Sequence, residues 1–263
     1  MKWFEAIILG LFQGLTEFLP VSSSGHLELG KYLFGIDNVS NFYFSIVLHG
    51  ATVISTLIVL WKEIAALSKG LFSFRWNEET SYVLKIFVSM IPAFIAGFFL
   101  REIAEKFYTG NMISLGIEFM FSALLLFITL AVKPKERPIG FWDSFIIGVA
   151  QAVAILPAIS RSGVTIATGI MLGNKRSEIA KFSFLMVLIP VIGANIVEMR
   201  SGEFTTGGTS LGVILAGFMT ALVSGYFACR WMINLVKKGN LGWFAAYCVI
   251  VGVYSILLGL HVI

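Results

Sequence analysis

Between Ile113 and Val132 the chain runs through twenty residues with a single charge, Glu118; from Phe42 to Leu60 and from Gly242 to His261 it carries none. A helix of that length crosses the roughly 30 Å hydrocarbon core of a bilayer. Because lipid offers no partner to backbone polar groups, a run of this kind must be helical or lie in a closed barrel. Its length exceeds that of a membrane strand. Three further segments, Val83 to Leu100, Phe182 to Val197 and Leu211 to Val236, are interrupted but long enough to cross. Charged residues make up 13% of the chain, about half the usual share of a soluble domain. The expected fold is therefore an all-α integral membrane protein with six full spans.

The same composition removes several functions. A net charge of +4 is spread through short loops rather than gathered on one face, so a nucleic-acid partner is not expected. Cys229 and Cys248 fall inside apolar segments, where a thiol acts as a small hydrophobe. Glu5, Gln13 and Glu17 interrupt the N-terminal apolar stretch where a signal peptide would be continuous, so this stretch is expected to be part of the folded protein.

Residues 2 to 19 can form a helix, yet not one bathed in lipid. At 100° per residue Ala6, Gly10, Gln13, Gly14 and Glu17 share an arc of roughly 100°. That small, polar stripe should pack on protein, and Gly10-x-x-x-Gly14 admits a close backbone. After Pro20 a second helix runs only from about Gly25 to Phe34 before Gly35-Ile36-Asp37-Asn38 ends it. Ten residues rise about 15 Å, half the apolar core.

About 138 residues later the arrangement recurs. Gly148, Gln151, Ser160, Ser162 and Gly163 match Gly10, Gln13, Ser22, Ser24 and Gly25, and Pro157 matches Pro20 with a slip of one. Ser144, Gly148, Gln151 and Ala152 repeat the stripe, and a second short helix runs from about Gly163 to Leu172. The chain thus divides into repeats at 1–133 and 134–263, each a re-entrant helix pair (2–35 and 141–173) followed by three spans. With three spans per repeat, the second must enter from the opposite leaflet, which is an inverted-topology arrangement with its site where the broken helices meet. Thirteen lysines and arginines, from Lys62 to Lys238, then fall on one side, and five, Lys2, Lys31, Arg101, Lys106 and Arg200, on the other. By the positive-inside rule both termini and the first re-entrant pair face outward.

Arg161 is the basic residue left over, between two half-helices. At membrane depth an arginine costs about 2.5–3.5 kcal/mol on insertion scales and is normally paired or solvated. Ser22-Ser23-Ser24-Gly25 and Ser160-Arg161-Ser162-Gly163 each open a helix, whose N-terminus favours an anion, and a guanidinium fork matches phosphate oxygens. Gln13 and Glu17, one turn apart, supply hard oxygen donors suited to Mg²⁺ or Ca²⁺ bridging a diphosphate. His26 follows Ser23 by three residues, close enough to serve as its base or to protonate a leaving group. The pattern points to phosphoryl transfer.

The runs Gln-Gly-Leu-Thr-Glu-Phe-Leu-Pro-Val-Ser-Ser-Ser-Gly-His-Leu at 13–27 and Pro-Ala-Ile-Ser-Arg-Ser-Gly-Val-Thr at 157–165 resemble the bacterial undecaprenyl-diphosphate phosphatase family, also called the bacitracin-resistance family. Length and span pattern agree over essentially the whole chain. The resemblance implies a multi-pass enzyme of the bacterial inner membrane, its active site opening toward the periplasm. Such an enzyme removes one phosphate from the C55 lipid diphosphate and recycles the carrier for peptidoglycan synthesis, with bacitracin resistance as a consequence. By position it implies catalytic roles for Glu17, Ser23, His26 and Arg161. Substrate contacts are implied at Ser22, Ser24, Gly25, Ser160, Ser162, Gly163 and Thr165, and a divalent cation at Gln13 and Glu17. Two departures stand out: the first acidic-motif position is Gln13 rather than glutamate, and Ala158 follows Pro157 where glycine is usual, reducing backbone freedom.

The residues leave alternatives open. The nucleophile is either Ser23 or a water activated by Glu17 or His26. Serines in membrane helices also bond back to the preceding turn, and Arg161 can pin the two halves together as well as bind phosphate. His49, seven residues into a span, either faces the chamber or bonds a neighbouring helix, and Glu118 in mid-span needs a partner that spacing does not name. The stripe Gly212, Ala216 and Thr220 serves either internal packing or a homodimer. An inverted repeat with broken helices is also a transporter architecture, so carriage of the lipid phosphate or of an anion is the competing function.

Overall fold

The computed structural model describes residues 1–36, 42–99, 111–133, 135–154, 156, 159–200, 209–239 and 241–262, with the side chains of 42, 194 and 198–200 set aside. Pro157, Ala158, Asp37, Asn38, Leu100, Arg101 and Lys106, all used in the sequence reading, lie outside the described residues, as does the side chain of Arg200. Eleven helices form among them. They are α1 (Trp3–Phe18), α2 (Ser23–Phe34), α3 (Phe42–Val59), α4 (Trp61–Leu71), α5 (Glu78–Phe99), α6 (Met112–Ala131), α7 (Phe141–Val153), α8 (Arg161–Met171), α9 (Arg176–Arg200), α10 (Leu211–Lys238) and α11 (Gly242–Gly259). Apart from one isolated bridge, Arg137 to Asn174, the described residues hold no strand.

Five of these helices, α5, α6, α9, α10 and α11, are long and apolar enough to cross a membrane. The expected sixth span is bent: α3, of 18 residues, meets α4 at 73°, and the count reaches six only if this bent pair is taken as one span. None of the α4 side chains is buried. Around the bundle a belt of large apolar side chains is exposed, among them Phe94, Phe98, Ile117, Leu124, Phe227 and Ile250, as lipid contact requires.

The short helices sit inside that bundle. The small stripe of α1 is buried, with Ala6 and Gln13 at 0% exposure, and it lies on α10. A Cβ at Gly10 would strike the Gly217 carbonyl oxygen, and one at Gly14 would strike the Ser224 hydroxyl and the Ala221 carbonyl. On the other side α7 lies on α5, and a Cβ at Gly148 would strike the Ser89 carbonyl. Further pairings join α3 with α9, α3 with α10, α5 with α9 and α6 with α11. Gly212, left open above, packs against the Trp3 ring, and Thr220 bonds back to the Ala216 carbonyl at 2.8 Å.

Both helix breaks are capped alike. The Ser22 hydroxyl accepts from the Gly25 N–H at 3.2 Å and the Ser160 hydroxyl from the Gly163 N–H at 3.0 Å. The short helices therefore begin two residues earlier than the sequence reading placed them, because the first serine of each run is the N-cap. Gly35 and Gly173, at φ of 63° and 85°, close the ends of α2 and α8; a side chain would resist that left-handed turn. The α7–α8 unit returns to where it began. Arg137 donates to the Leu172 carbonyl at 2.8 Å, the Lys175 N–H reaches the Arg137 carbonyl at 2.8 Å, and Asp143 accepts from both Arg137 and Asn174.

Candidate active site

Leu19-Pro20 and the first turn of α8 are where the two broken helices touch. The Ser162 hydroxyl donates to the Leu19 carbonyl at 3.0 Å, and a Cβ at Gly163 would stand 3.3 Å from the Pro20 carbonyl. With the backbones locked, the last turn of α1 faces the first turn of α8. Arg161 donates to Glu17 Oε1 at 3.1 Å across 144 residues of sequence. Neither partner is fully buried, with Arg161 at 32% and Glu17 at 12% exposure. That openness leaves the guanidinium donors that do not meet Glu17 accessible to a ligand.

Glu17 Oε2 is the centre of the cluster. It accepts the Ser23 hydroxyl at 2.6 Å and the Gln13 amide Nε2 at 2.8 Å, and His49 Nε2 stands 3.8 Å away. Donors from four elements thus surround one carboxylate. Ser23 is half-buried, at the first position of α2, so its hydroxyl is reachable and already shares its proton with a base.

The expected Ser23–His26 pair is not formed. His26 Nδ1 lies 2.7 Å from the Ser22 carbonyl oxygen, one turn back, and Nε2 lies 2.7 Å from the Tyr247 hydroxyl on α11. The ring also stacks on Tyr247, with 4° between planes, and meets the edge of Phe119. Both nitrogens are engaged, so the imidazole holds Ser22 rather than reaching its neighbour. Ser22 needs holding: its φ of 68° lies where non-glycine residues are rare, at a cost of about 1–3 kcal/mol.

The other motif residues have plain positions. Ser22 and Ser160 are the caps, and their hydroxyls lie 3.4 Å and 3.3 Å from those of Ser24 and Ser162. Gly25 has no room for a side chain beneath Phe119. Thr165 donates to the Arg161 carbonyl at 2.8 Å and meets the Ser183 hydroxyl at 2.5 Å, tying α8 to α9. Beside Glu17 and Arg161 opens a cleft with about 480 Å³ of empty space, mouth included, whose polar lining adds Thr52, Thr56, Gln151, Thr165 and Ser183.

For the expected cation, the described residues hold no cluster of three or more His, Cys, Asp or Glu side chains. They do hold an orphan: Gln13 Oε1 is buried without a hydrogen-bond partner, next to the only carboxylate of the centre. One carboxylate and one amide oxygen suit Mg²⁺ or Ca²⁺ when phosphates complete the shell.

His49 and Tyr247 are the site neighbours that sequence reading did not place. His49 carried a signal, a one-turn spacing from Ser45 whose carbonyl takes Nδ1 at 2.8 Å and leaves Nε2 pointing away. Tyr247, 221 residues from His26, carried none.

A multi-pass helical membrane protein with a serine, carboxylate and guanidinium centre at the meeting of two helix breaks is the class that fold and site define. The chain belongs to the family described as bacitracin resistance protein BacA, whose profile matches residues 6–254. It is 50% identical over 260 residues to the undecaprenyl-diphosphatase of Parabacteroides distasonis, covering 97% of this chain and 98% of that one. To the undecaprenyl-diphosphatase of Bacteroides fragilis it is 50% identical over 261 residues, 98% of each chain. To that of Christiangramia forsetii it is 46% identical over 259 residues, again 98% of each.

Proposed function

We propose that this protein is an undecaprenyl-diphosphatase, removing the terminal phosphate of the C55 lipid diphosphate to leave the monophosphate and inorganic phosphate. In the bacterial inner membrane that reaction returns the carrier to peptidoglycan synthesis and underlies bacitracin resistance. The observation that carries the reading is the Glu17 carboxylate, which accepts the Ser23 hydroxyl while it pairs with Arg161. A transporter of anions needs the guanidinium but has no use for a serine hydroxyl seated on a base.

In the reaction Ser23 Oγ attacks the terminal phosphorus in line while its proton passes to Glu17. The bond from that phosphorus to the bridging oxygen breaks, and the lipid monophosphate leaves with the electron pair. Water then cleaves the phosphoserine, releasing inorganic phosphate. Arg161 and the α2 and α8 N-termini hold the non-bridging oxygens as charge spreads over them. His26 keeps Ser22 in its strained turn and so fixes the height of Ser23. A divalent cation held by Glu17 and Gln13 Oε1 would neutralise part of the diphosphate charge.

The pairings of α1 with α10 and α7 with α5, and of α3 with α10 and α9 with α5, exchange under the relation between the repeats. They support an inverted repeat with two re-entrant pairs meeting at the site, the first opening outward, both termini on the outer side. The test is phosphate release from the lipid diphosphate in detergent, where there are no two sides to transport between, with divalent metals added one at a time. Wild type should release phosphate in Mg²⁺ or Ca²⁺ and form a trappable phosphoserine, and Ser23→Ala should lose about 10³ in rate. Absence of release by wild type overturns the function. Full turnover by Ser23→Ala moves the nucleophile to water, and label on another residue moves it to that residue.

A further inference from the structure

Where α3 gives way to α4 the helix axis turns through 73°. With α3 as the sixth crossing, that angle lays α4 close to the plane of the leaflet. Ile64 and Leu67 face inward against the core, and Glu63 pairs with Lys181 on α9. Trp61, Lys62, Ala65, Ala66, Ser68 and Lys69 are exposed. At 100° per residue Trp61, Ala65 and Phe72 share an arc of roughly 40°, and Lys62 and Lys69 fall within roughly the next 60°. An apolar edge flanked by a basic edge is the pattern of a helix lying at a lipid surface.

The turn from α4 into α5 is built rather than slack. The Gly70 carbonyl accepts from the Ser73 hydroxyl at 2.6 Å and from the Asn77 amide at 3.0 Å. Asn77 Oδ1 accepts the Thr80 N–H at 2.7 Å, and the Thr80 hydroxyl donates to the Arg75 carbonyl at 3.1 Å. These bonds hold Phe74 at a φ of 50°, where a bulky residue is rare, with its ring 90% exposed between the exposed rings of Phe72 and Trp76. The turn thus spends its polar groups inward and its aromatic rings outward. Water gives no reason for that arrangement, whereas aromatic rings settle at the headgroup level of a bilayer. Exposed rings continue onto α7, where Trp142 is exposed and the Phe141 ring beside it takes the Lys85 ammonium of α5 at 5.6 Å.

Three exposed cations, Lys62, Lys69 and Arg75, stand on this hairpin against one exposed carboxylate, Glu78, because Glu63 is paired and Glu79 is folded against Gly70. We infer that the α4–α5 hairpin is a docking surface for acidic phospholipid. Trp61, Phe72, Phe74 and Trp76 enter the headgroup layer, and Lys62, Lys69 and Arg75 meet the anionic headgroups. Each basic residue near such a surface favours the acidic lipid by about fivefold, an attraction that salt screens. The inference stands apart from the phosphatase reading, since it concerns a face on which no residue of the Glu17 and Arg161 centre lies.

The test reads tryptophan emission from the full chain in phosphatidylcholine vesicles that carry brominated phosphatidylcholine or brominated phosphatidylglycerol at equal mole fraction. The share of emission owed to Trp61 and Trp76 is taken by difference from the variant Trp61→Phe with Trp76→Phe. Both lipids should quench that share, the acidic one about twofold more strongly at low salt. Replacing Lys62, Lys69 and Arg75 together by glutamine should bring the two lipids to equality. Salt at about 1 M should do the same to wild type, which decides the matter if the triple variant does not fold. Equal quenching of wild type by the two lipids at low salt overturns the preference for acidic headgroups. Absence of quenching by either lipid overturns the docking surface altogether, and a disulfide between chains in Phe74→Cys would then give that face to a second copy.

Discussion

At the scale of single residues, the polar groups of this chain are legible as far as their cost forces a partner. An arginine at membrane depth demands a countercharge, and Glu17 was the acidic residue at the other break; the two meet at 3.1 Å. His26 carried no such demand. Ser-x-x-His spacing brings two side chains to one helical face, but the carbonyl of Ser22, four residues back, which also accepts the His26 N–H, takes Nδ1 instead. His49 behaves in the same way toward Ser45. In both, the local acceptor fixes the ring and leaves Nε2 for a distant element, to Tyr247 in one case and toward Glu17 in the other. Since Arg161 is both charge and fork, replacing it should separate the two contributions. Arg161→Ala should lower turnover in detergent by about 10³ and Arg161→Lys by about 10², the lysine restoring charge without bidentate contact. A lysine variant as active as wild type would show that charge alone suffices.

At the scale of elements, what sequence conveyed best was which faces need protein. The α1 and α7 stripes were readable because glycines and amides on one arc are useless against lipid, and both stripes are buried except at Glu17 and Ala152, which are half-buried. Helix starts were less readable: two or three serines before a glycine all qualify as caps, and only the side-chain bonds pick the first. The apolar run does end at Leu60, where α3 gives way to α4, but nothing in the sequence reading placed a second helix there at a sharp angle: no proline marks the bend, and Lys62, Glu63 and Lys69 read as loop charge. Close backbone contact makes a testable distinction between glycines. Gly148→Val on α7 must push against the Ser89 carbonyl, an overpacking that should cost about 1–3 kcal/mol and lower the thermal midpoint in detergent. Gly97→Ala on α5 meets nothing within 4 Å and should raise stability by about 0.5–1 kcal/mol through helix propensity alone. Equal effects from the two would mean that α7 does not seat closely on α5.

At the scale of the whole molecule, the question is which way the two breaks open. Basic residues set the expected orientation, and the ties between distant loops agree on which segments share a side. Arg137, Leu172 and Lys175 are joined, and Lys181 on α9 pairs with Glu63 on α4, so Arg137 with the α8–α9 turn forms one patch and α4 with the start of α9 another; the positive-inside rule predicts the cytoplasmic side for both. Because Cys229 and Cys248 are both fully buried, a single introduced cysteine can be read by a membrane-impermeant thiol reagent without background. Ser73→Cys and Lys135→Cys should label only after the inner membrane is opened, and Val262→Cys should label in intact cells with a permeable outer layer. The reverse pattern would turn the Glu17 and Arg161 centre toward the cytoplasm. A mixture within each variant would mean both orientations insert, which a bias of thirteen basic residues to five argues against.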